Sequence, residues 1–168
     1  MSVEEPGPRA AVISVSSSRA GGAGGEDRGG DELVRWAEER GAEVVARELV
    51  PDSRALIEDR LRHFCDAERC DLILTTGGTG FSPDDVTPEA TLAVAERMAP
   101  GIAEAMRFAS REHTRHWMLA RNVAVTRGHA LIVNFPGSPK AIGEAGAAIA
   151  EALPHALKLL RGERDSHG

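Results

Sequence analysis

The residues Ala10-Ala-Val-Ile-Ser-Val15 and Asp71-Leu-Ile-Leu-Thr-Thr76 are apolar runs too short to stand as helices, and each empties at once into small polar residues and glycine. The first gives way to Ser16-Ser-Ser-Arg-Ala-Gly-Gly-Ala-Gly-Gly25, the second to Gly77-Gly-Thr-Gly80. A continuous apolar run of this length is the profile of a strand buried on both faces. The intervening stretches have helical spacing. Asp31 is placed to cap a helix running to about Arg40, with Leu33, Val34 and Ala37 on one face and Gly41 closing it. Residues 43–50 read as a second strand. Pro51-Asp-Ser53 then opens a helix from Arg54 to about Ala67, with Leu56, Ile57, Leu61 and Phe64 as its apolar stripe. Such alternation predicts a mostly parallel sheet with helices on both faces. The strand-to-helix loops of such a sheet gather at the carboxyl ends of its strands, where ligands bind.

Further along the pattern changes. Helices are expected over residues 88–97 and 101–112, separated by Pro100-Gly101. Residues 122–126 and 130–135 are strand-like and joined by Arg127-Gly-His129, a hairpin-length connection. That pair would be antiparallel, so the sheet should be mixed. Residues 138–161 close the chain as helix, interrupted near Pro154. With no internal repeat visible, residues 10–161 read as a single domain, after a flexible lead over 1–9 and before a tail over 162–168. The expected fold class is α/β, a three-layer sandwich with a mostly parallel, mixed sheet.

Composition excludes several classes of function. The net charge of −6 argues against a broad nucleic-acid-binding face. No apolar run approaches the roughly 20 residues that span a bilayer, and no secretory signal is read at the N-terminus, so a cytoplasmic protein without a membrane partner is expected. Cys65 and Cys70 lack the further ligands of a zinc site and read as buried thiols. His113 and His116 read as a helix-surface pair. Of the 20 basic residues only Lys140 and Lys158 are lysines, so forked guanidiniums supply most of the capacity for binding anions.

Candidate chemistry concentrates in the loops at one sheet edge. In Thr75-Thr-Gly-Gly-Thr-Gly80, glycines Gly77, Gly78 and Gly80 let backbone N–H groups approach an anion, and Thr75, Thr76 and Thr79 add hydroxyl donors. The alternative is a tight structural turn. The P-loop pattern is absent. Asp84 and Asp85 follow, and Asp52 comes from the equivalent end of the preceding strand. Carboxylates beside a phosphate loop suit a bridging magnesium ion, but Asp is also a common helix cap. The last loop, Asn134-Phe-Pro-Gly-Ser-Pro-Lys140, has a backbone fixed by Pro136, Gly137 and Pro139, and Ser138 is placed to cap the next helix. Lys140 would face an anion or simply solvent. Ser16, at the mouth of the first loop, and Arg121, at the mouth of the hairpin, complete the candidate substrate-binding set. Residues 21–30 read as a flexible lid or an undemanding surface loop. No protein nucleophile can be assembled.

These motifs resemble a known family. Leu74-Thr-Thr-Gly-Gly-Thr-Gly-Phe-Ser-Pro-Asp-Asp-Val-Thr-Pro-Glu-Ala-Thr91, Asn134-Phe-Pro-Gly-Ser-Pro139 and Val50-Pro-Asp-Ser53 are similar, in order and spacing, to the signatures of the MogA/MoaB family of molybdenum cofactor biosynthesis proteins. The resemblance runs from about Ala10 to Arg161. It implies a molybdopterin-binding α/β domain that transfers AMP from ATP to the terminal phosphate of molybdopterin and releases pyrophosphate. It further implies Asp52 and Asp85 as magnesium-associated catalytic residues, pterin and phosphate contacts from the two glycine loops, a homotrimer or hexamer, and a downstream molybdenum-insertion protein as partner. Two departures stand out. Ser17 replaces an acidic residue of many relatives, and Asp84 stands where relatives carry Arg. An exchange of Arg for Asp shifts the local charge by two and leaves open a non-catalytic molybdopterin-binding or carrier protein.

Overall fold

The computed structural model describes residues 4–164. Six strands form one sheet: β1 (Arg9–Val15), β2 (Glu43–Val50), β3 (Leu72–Thr76), β4 (Arg97–Met98), β5 (Ala124–Arg127) and β6 (Ala130–Phe135), in the order β2-β1-β3-β6-β5-β4. The strands β2, β1, β3 and β6 are parallel; β5 runs antiparallel to both β6 and β4. The helices are α1 (Ser17–Ala20), α2 (Arg28–Glu39), α3 (Arg54–Arg62), α4 (Thr87–Val94), α5 (Pro100–Ser110), α6 (Pro139–Ile149) and α7 (Leu153–Leu160). The expected mixed, mostly parallel sheet is therefore present.

Side-chain alternation along the central strands divides the core into two layers. Ala10, Val12, Leu72, Leu74, Leu131, Val133 and Phe135 point to one face, where Leu33, Trp36, Met106, Ile142, Ile149 and Leu157 of α2, α5, α6 and α7 cover them. Ala11, Ile13, Val15, Ile73, Ala130 and Ile132 point to the other, against Ile57, Leu61, Phe64, Ala90 and Val94. Because β1, β3 and β6 are covered on both faces, they are apolar along most of their length, which is why they read as near-continuous runs; the polar exceptions, Ser14, Thr75, Thr76 and Asn134, are buried near their carboxyl ends.

Several boundaries differ from those expected, each for a local reason. The α2 helix starts at Arg28, not after Asp31, because the Asp27 carboxylate accepts from Gly30 N at 3.0 Å and caps the helix four residues earlier. Gly29 and Gly30, read above as part of a flexible lid or a surface loop, are thus buried in the first helical turn. In α3, Ile57 and Leu61 are buried while Leu56 is exposed, and the chain continues through a π turn over His63–Ala67. The short edge strand β4 replaces the end of a helix expected to reach Arg97. Helix α5 stops at Ser110, so His113 and His116 lie beyond it, and His113 faces Glu144 at 3.4 Å. At the N-terminal end, β1 already includes Arg9 and the Pro8 carbonyl accepts from Glu43 N at 2.8 Å, so the segment read as a lead is tied down there. Met1–Val3 and residues 165–168 of the tail lie outside the described residues.

Cys65 and Cys70 are buried free thiols. Burial pushes the Cys65 thiol up to about 12 and the Cys70 thiol also upward, which removes the reactive thiolate at neutral pH. Among the described residues no helix is long and apolar enough to cross a membrane.

Candidate functional site

From β1 the chain passes to β2 on one side and later to β3 on the other, so the order of the sheet switches between β1 and β3. The chain leaves these two strands toward opposite faces of the sheet, to α2 after β1 and to α4 after β3, the arrangement in which ligands bind at strand carboxyl ends. The candidate residues collect here.

The turn after β3 is fixed by backbone geometry. Gly77 and Gly78 have φ of +94° and +70°, a region that side chains disfavour. A Cβ on Gly77 would stand 2.4 Å from Val15 O, and one on Gly78 2.4 Å from Thr87 Oγ1. Thr87, at the start of α4, donates its hydroxyl to Gly77 O at 3.0 Å and its N–H to Gly78 O at 3.1 Å. Both glycine carbonyls are thereby turned onto α4. The partly exposed segment 77–80 is left to meet a ligand.

The two threonines before it serve the framework instead. Thr75 is fully buried and accepts from Asn134 Nδ2 at 3.0 Å, and the same amide donates to Thr91 Oγ1 at 3.0 Å. Thr76 Oγ1 donates to Pro136 O at 2.7 Å and so ties the β3 loop to the Asn134–Pro139 loop. Neither hydroxyl faces an open crevice; Thr79, half-buried, is the threonine of the turn nearest solvent. Helix α2 presses on the same junction: a Cβ on Gly29 would meet Gly137 O at 2.6 Å and Thr76 Oγ1 at 3.2 Å. Only glycine lets the start of α2 sit there. Asn134, Thr87, Thr91 and Gly29 lie inside the segments quoted above but are not among the candidate site residues, although Asp27-Arg-Gly-Gly30 and Val86-Thr-Pro-Glu89 both carry the signal of a helix start.

Asp52 and Asp85 flank this turn from different loops. Asp52 Oδ2 accepts from Ser17 N at 3.0 Å and from Ser17 Oγ at 2.8 Å, while Oδ1 lies 3.3 Å from where a Cβ would stand on Gly78. Asp85 Oδ2 accepts from Ser82 N at 3.0 Å and lies 2.9 Å from the corresponding position on Gly80. The helix-cap alternative for these two fails at both: α3 is capped by Ser53, which accepts from Leu56 N, and α4 has no side-chain cap. Ser17, the departure noted in the first loop, thus supplies both donors that orient Asp52.

Ser16 caps α1 by accepting from Arg19 N. Ser138 caps α6 as expected, accepting from Ala141 N at 3.3 Å; Gly137, Ser138 and Pro139 are exposed and Pro136 is half-buried. Lys140 is almost fully exposed and 3.9 Å from Glu144. Arg121 is placed differently from the free phosphate contact expected of it. Its guanidinium donates to Gly80 O at 2.7 Å and Asp85 O at 2.9 Å and is ion-paired with Glu89. The hydrogen bond from Arg121 holds the Glu89 carboxyl below its usual range.

An open, mostly parallel α/β sheet with a glycine turn at its switch point defines the class of α/β domain that binds ligands at the carboxyl ends of its strands. Comparison with known proteins makes the assignment particular. A family model described as a probable molybdopterin binding domain matches residues 11–155, and the chain belongs to that family. It is 39% identical over 165 residues to a molybdopterin adenylyltransferase of Haemophilus influenzae, covering 90% of this chain and 83% of the relative. The molybdopterin adenylyltransferase of Escherichia coli K12 is 39% identical over 169 residues, covering 92% and 86%. Among solved structures, the molybdopterin biosynthesis enzyme MoaB of Thermus thermophilus superposes with a TM-score of 0.87 at 42% identity, over 93% of this chain and 98% of that one.

Proposed function

We propose that this chain is a molybdopterin adenylyltransferase of molybdenum cofactor biosynthesis, which transfers AMP from ATP to the terminal phosphate of molybdopterin. The observation that carries this reading is the placement of Asp52 and Asp85 on either side of one glycine turn, beside Gly78 and Gly80. A terminal phosphate oxygen of molybdopterin attacks the α-phosphorus of ATP. The new P–O bond forms as the bond to the β-phosphate breaks, and its electron pair leaves with pyrophosphate. Both reactants are anions, so the site must align them and offset their repulsion, which requires no protein nucleophile.

The N–H groups of Gly77, Gly78, Thr79 and Gly80, together with the Pro136–Pro139 loop and Ser16, bind the phosphates and the pterin in this reading. Thr75 and Thr76 hold those loops in register. Asp52 and Asp85 would hold magnesium. The donor set fits: each is a hard carboxylate at the turn, and Asp52 keeps Oδ1 clear of the serine that holds Oδ2. Among the described residues no cluster of three or more His, Cys, Asp or Glu surrounds them. The pair would therefore share a cation with substrate phosphates and water, as magnesium sites commonly do. When bound, the ion supplies positive charge to the departing pyrophosphate.

A homotrimer belongs to the same proposal, supported by exposed Phe108 and Met118, at 64% and 62%. So do a cytoplasmic setting and delivery of the product to a molybdenum-insertion protein. The test is purified protein with molybdopterin, ATP and magnesium, scored for pyrophosphate and AMP-linked pterin. Tight pterin binding without AMP transfer would overturn the enzyme reading in favour of a carrier. A light-scattering mass near 17.8 kDa would overturn the trimer.

A further inference from the structure

We infer that Glu89 and Arg121 form a brace that positions Asp85, and that Arg121 acts on the reaction through this brace and not as a phosphate ligand. The inference rests on the proposed role of Asp85. Its basis is the way the segment between Gly80 and Asp85 is held. Arg121 Nε donates to Gly80 O at 2.7 Å and Nη2 to Asp85 O at 2.9 Å, so one rigid fork grips both ends of the segment. The backbone of Arg121 is itself anchored, its N–H donating to Thr79 O at 2.9 Å. Glu89, on the first turn of α4, pairs with the outer side of the guanidinium and ties the fork to a helix packed on the sheet.

Within the gripped segment, Asp85 N donates to Ser82 O at 2.9 Å and Ser82 N donates back to Asp85 Oδ2 at 3.0 Å. The carboxylate orientation thus depends on the backbone that Arg121 clamps. A planar fork reaches two carbonyls and a carboxylate from three separate nitrogens; an ammonium, with all its donors on one nitrogen, would have to draw the three acceptors together around a point. With these partners the positive charge is already matched by Glu89, which leaves little of it for an incoming triphosphate. A displacement of about 1 Å in a positioned group can cost about a hundredfold in rate.

The discriminating variants are Arg121→Lys, which keeps the charge and loses the fork, and Glu89→Gln, which keeps the shape and loses the charge. Both are made in the full chain and read by amide hydrogen exchange without substrate, then by steady-state kinetics. The brace predicts exchange at Ser82 and Asp85 about tenfold faster or more in Arg121→Lys, with amides of β1, β3 and β6 unchanged. It predicts kcat lower by about tenfold to a hundredfold, KM for ATP within about threefold, and Glu89→Gln moving the same quantities less far. Wild-type exchange and kcat in Arg121→Lys would overturn the inference. A lower KM for ATP in Glu89→Gln would do so too, since it would mean that Glu89 merely withholds Arg121 from phosphate. If Arg121→Lys loosens the whole chain, Glu89→Gln decides alone. If the wild-type protein transfers no AMP, the functional reading fails while the exchange result still decides whether the brace exists.

Discussion

The two ends of the sheet treat their carboxylates differently. At the amino end, Asp71 is buried beside the start of β3. It accepts from Arg9 N at 2.8 Å and pairs with Arg161 at 3.0 Å, with His129 at 3.7 Å. At the carboxyl end, Asp52 and Asp85 are half-exposed and held by neutral donors: the amide and hydroxyl of Ser17, and the amide of Ser82. A carboxylate paired with a guanidinium has its charge matched and ties chain segments together. One held by a serine and a backbone N–H is oriented while its charge stays available to a ligand. The difference separates an acid that holds the fold from acids that can do chemistry.

The strongest challenge to this contrast is Asp85→Asn. An amide oxygen still accepts from Ser82 N, so the loop should keep its shape while the charge is lost. Turnover should fall about a hundredfold or more in single-turnover assays, with pterin affinity by calorimetry unchanged or improved. A folded, fully active Asp85→Asn protein would reduce this carboxylate to a turn-former like any other.

The reverse pattern is expected at the amino end. Asp71→Asn should cost about 1 kcal/mol of stability in denaturant unfolding, because the buried carboxylate's charge-assisted hydrogen bonds to Arg9 N and to the more exposed Arg161 are weakened. The rate of AMP transfer should not change. If turnover fell with stability, the two ends would not be separable.

Acid sharpens the same distinction by a smaller amount. Burial acts to raise the Asp71 carboxyl, but the hydrogen bond from Arg161, the Arg9 N–H and nearby positive charge outweigh it and leave the group below 3.8. A group depressed in the folded state contributes fully above its unfolded value and loses that contribution as pH falls through its folded value. The stability gap between wild-type protein and Asp71→Asn should therefore hold above pH 3.8 and close below it. A gap that widened on acidification would show the sign to be wrong. Asp27, held by Ser14, Gly30 N and Arg47 against the same burial cost, should add to the acid loss in that window.

The smallest effect is expected of Asp84→Arg. Asp84 is exposed and lies beside the turn without sharing in its hydrogen bonds as Asp85 does. ATP binding should be unchanged or a few-fold tighter by calorimetry. Weaker binding would mean that Asp84 belongs with the working acids.

The alternation of apolar runs and helical stripes determined the three layers, the mixed sheet and the edge on which the loops collect, because a strand buried on both faces is apolar wherever no partner waits for a polar side chain. Short motifs likewise marked the glycine turn and the two aspartates. Contacts between residues far apart in the chain left no local trace. Thr75 and Thr76 look like ligand donors in sequence, yet their hydroxyls are taken by Asn134 and Pro136, about 60 residues away. Arg121 looks like a free cation until the fold places Gly80, Asp85 and Glu89 around it. A local pattern records which groups a segment offers. Which of them stay free is decided only when other segments close over it and satisfy every buried donor and acceptor they can reach.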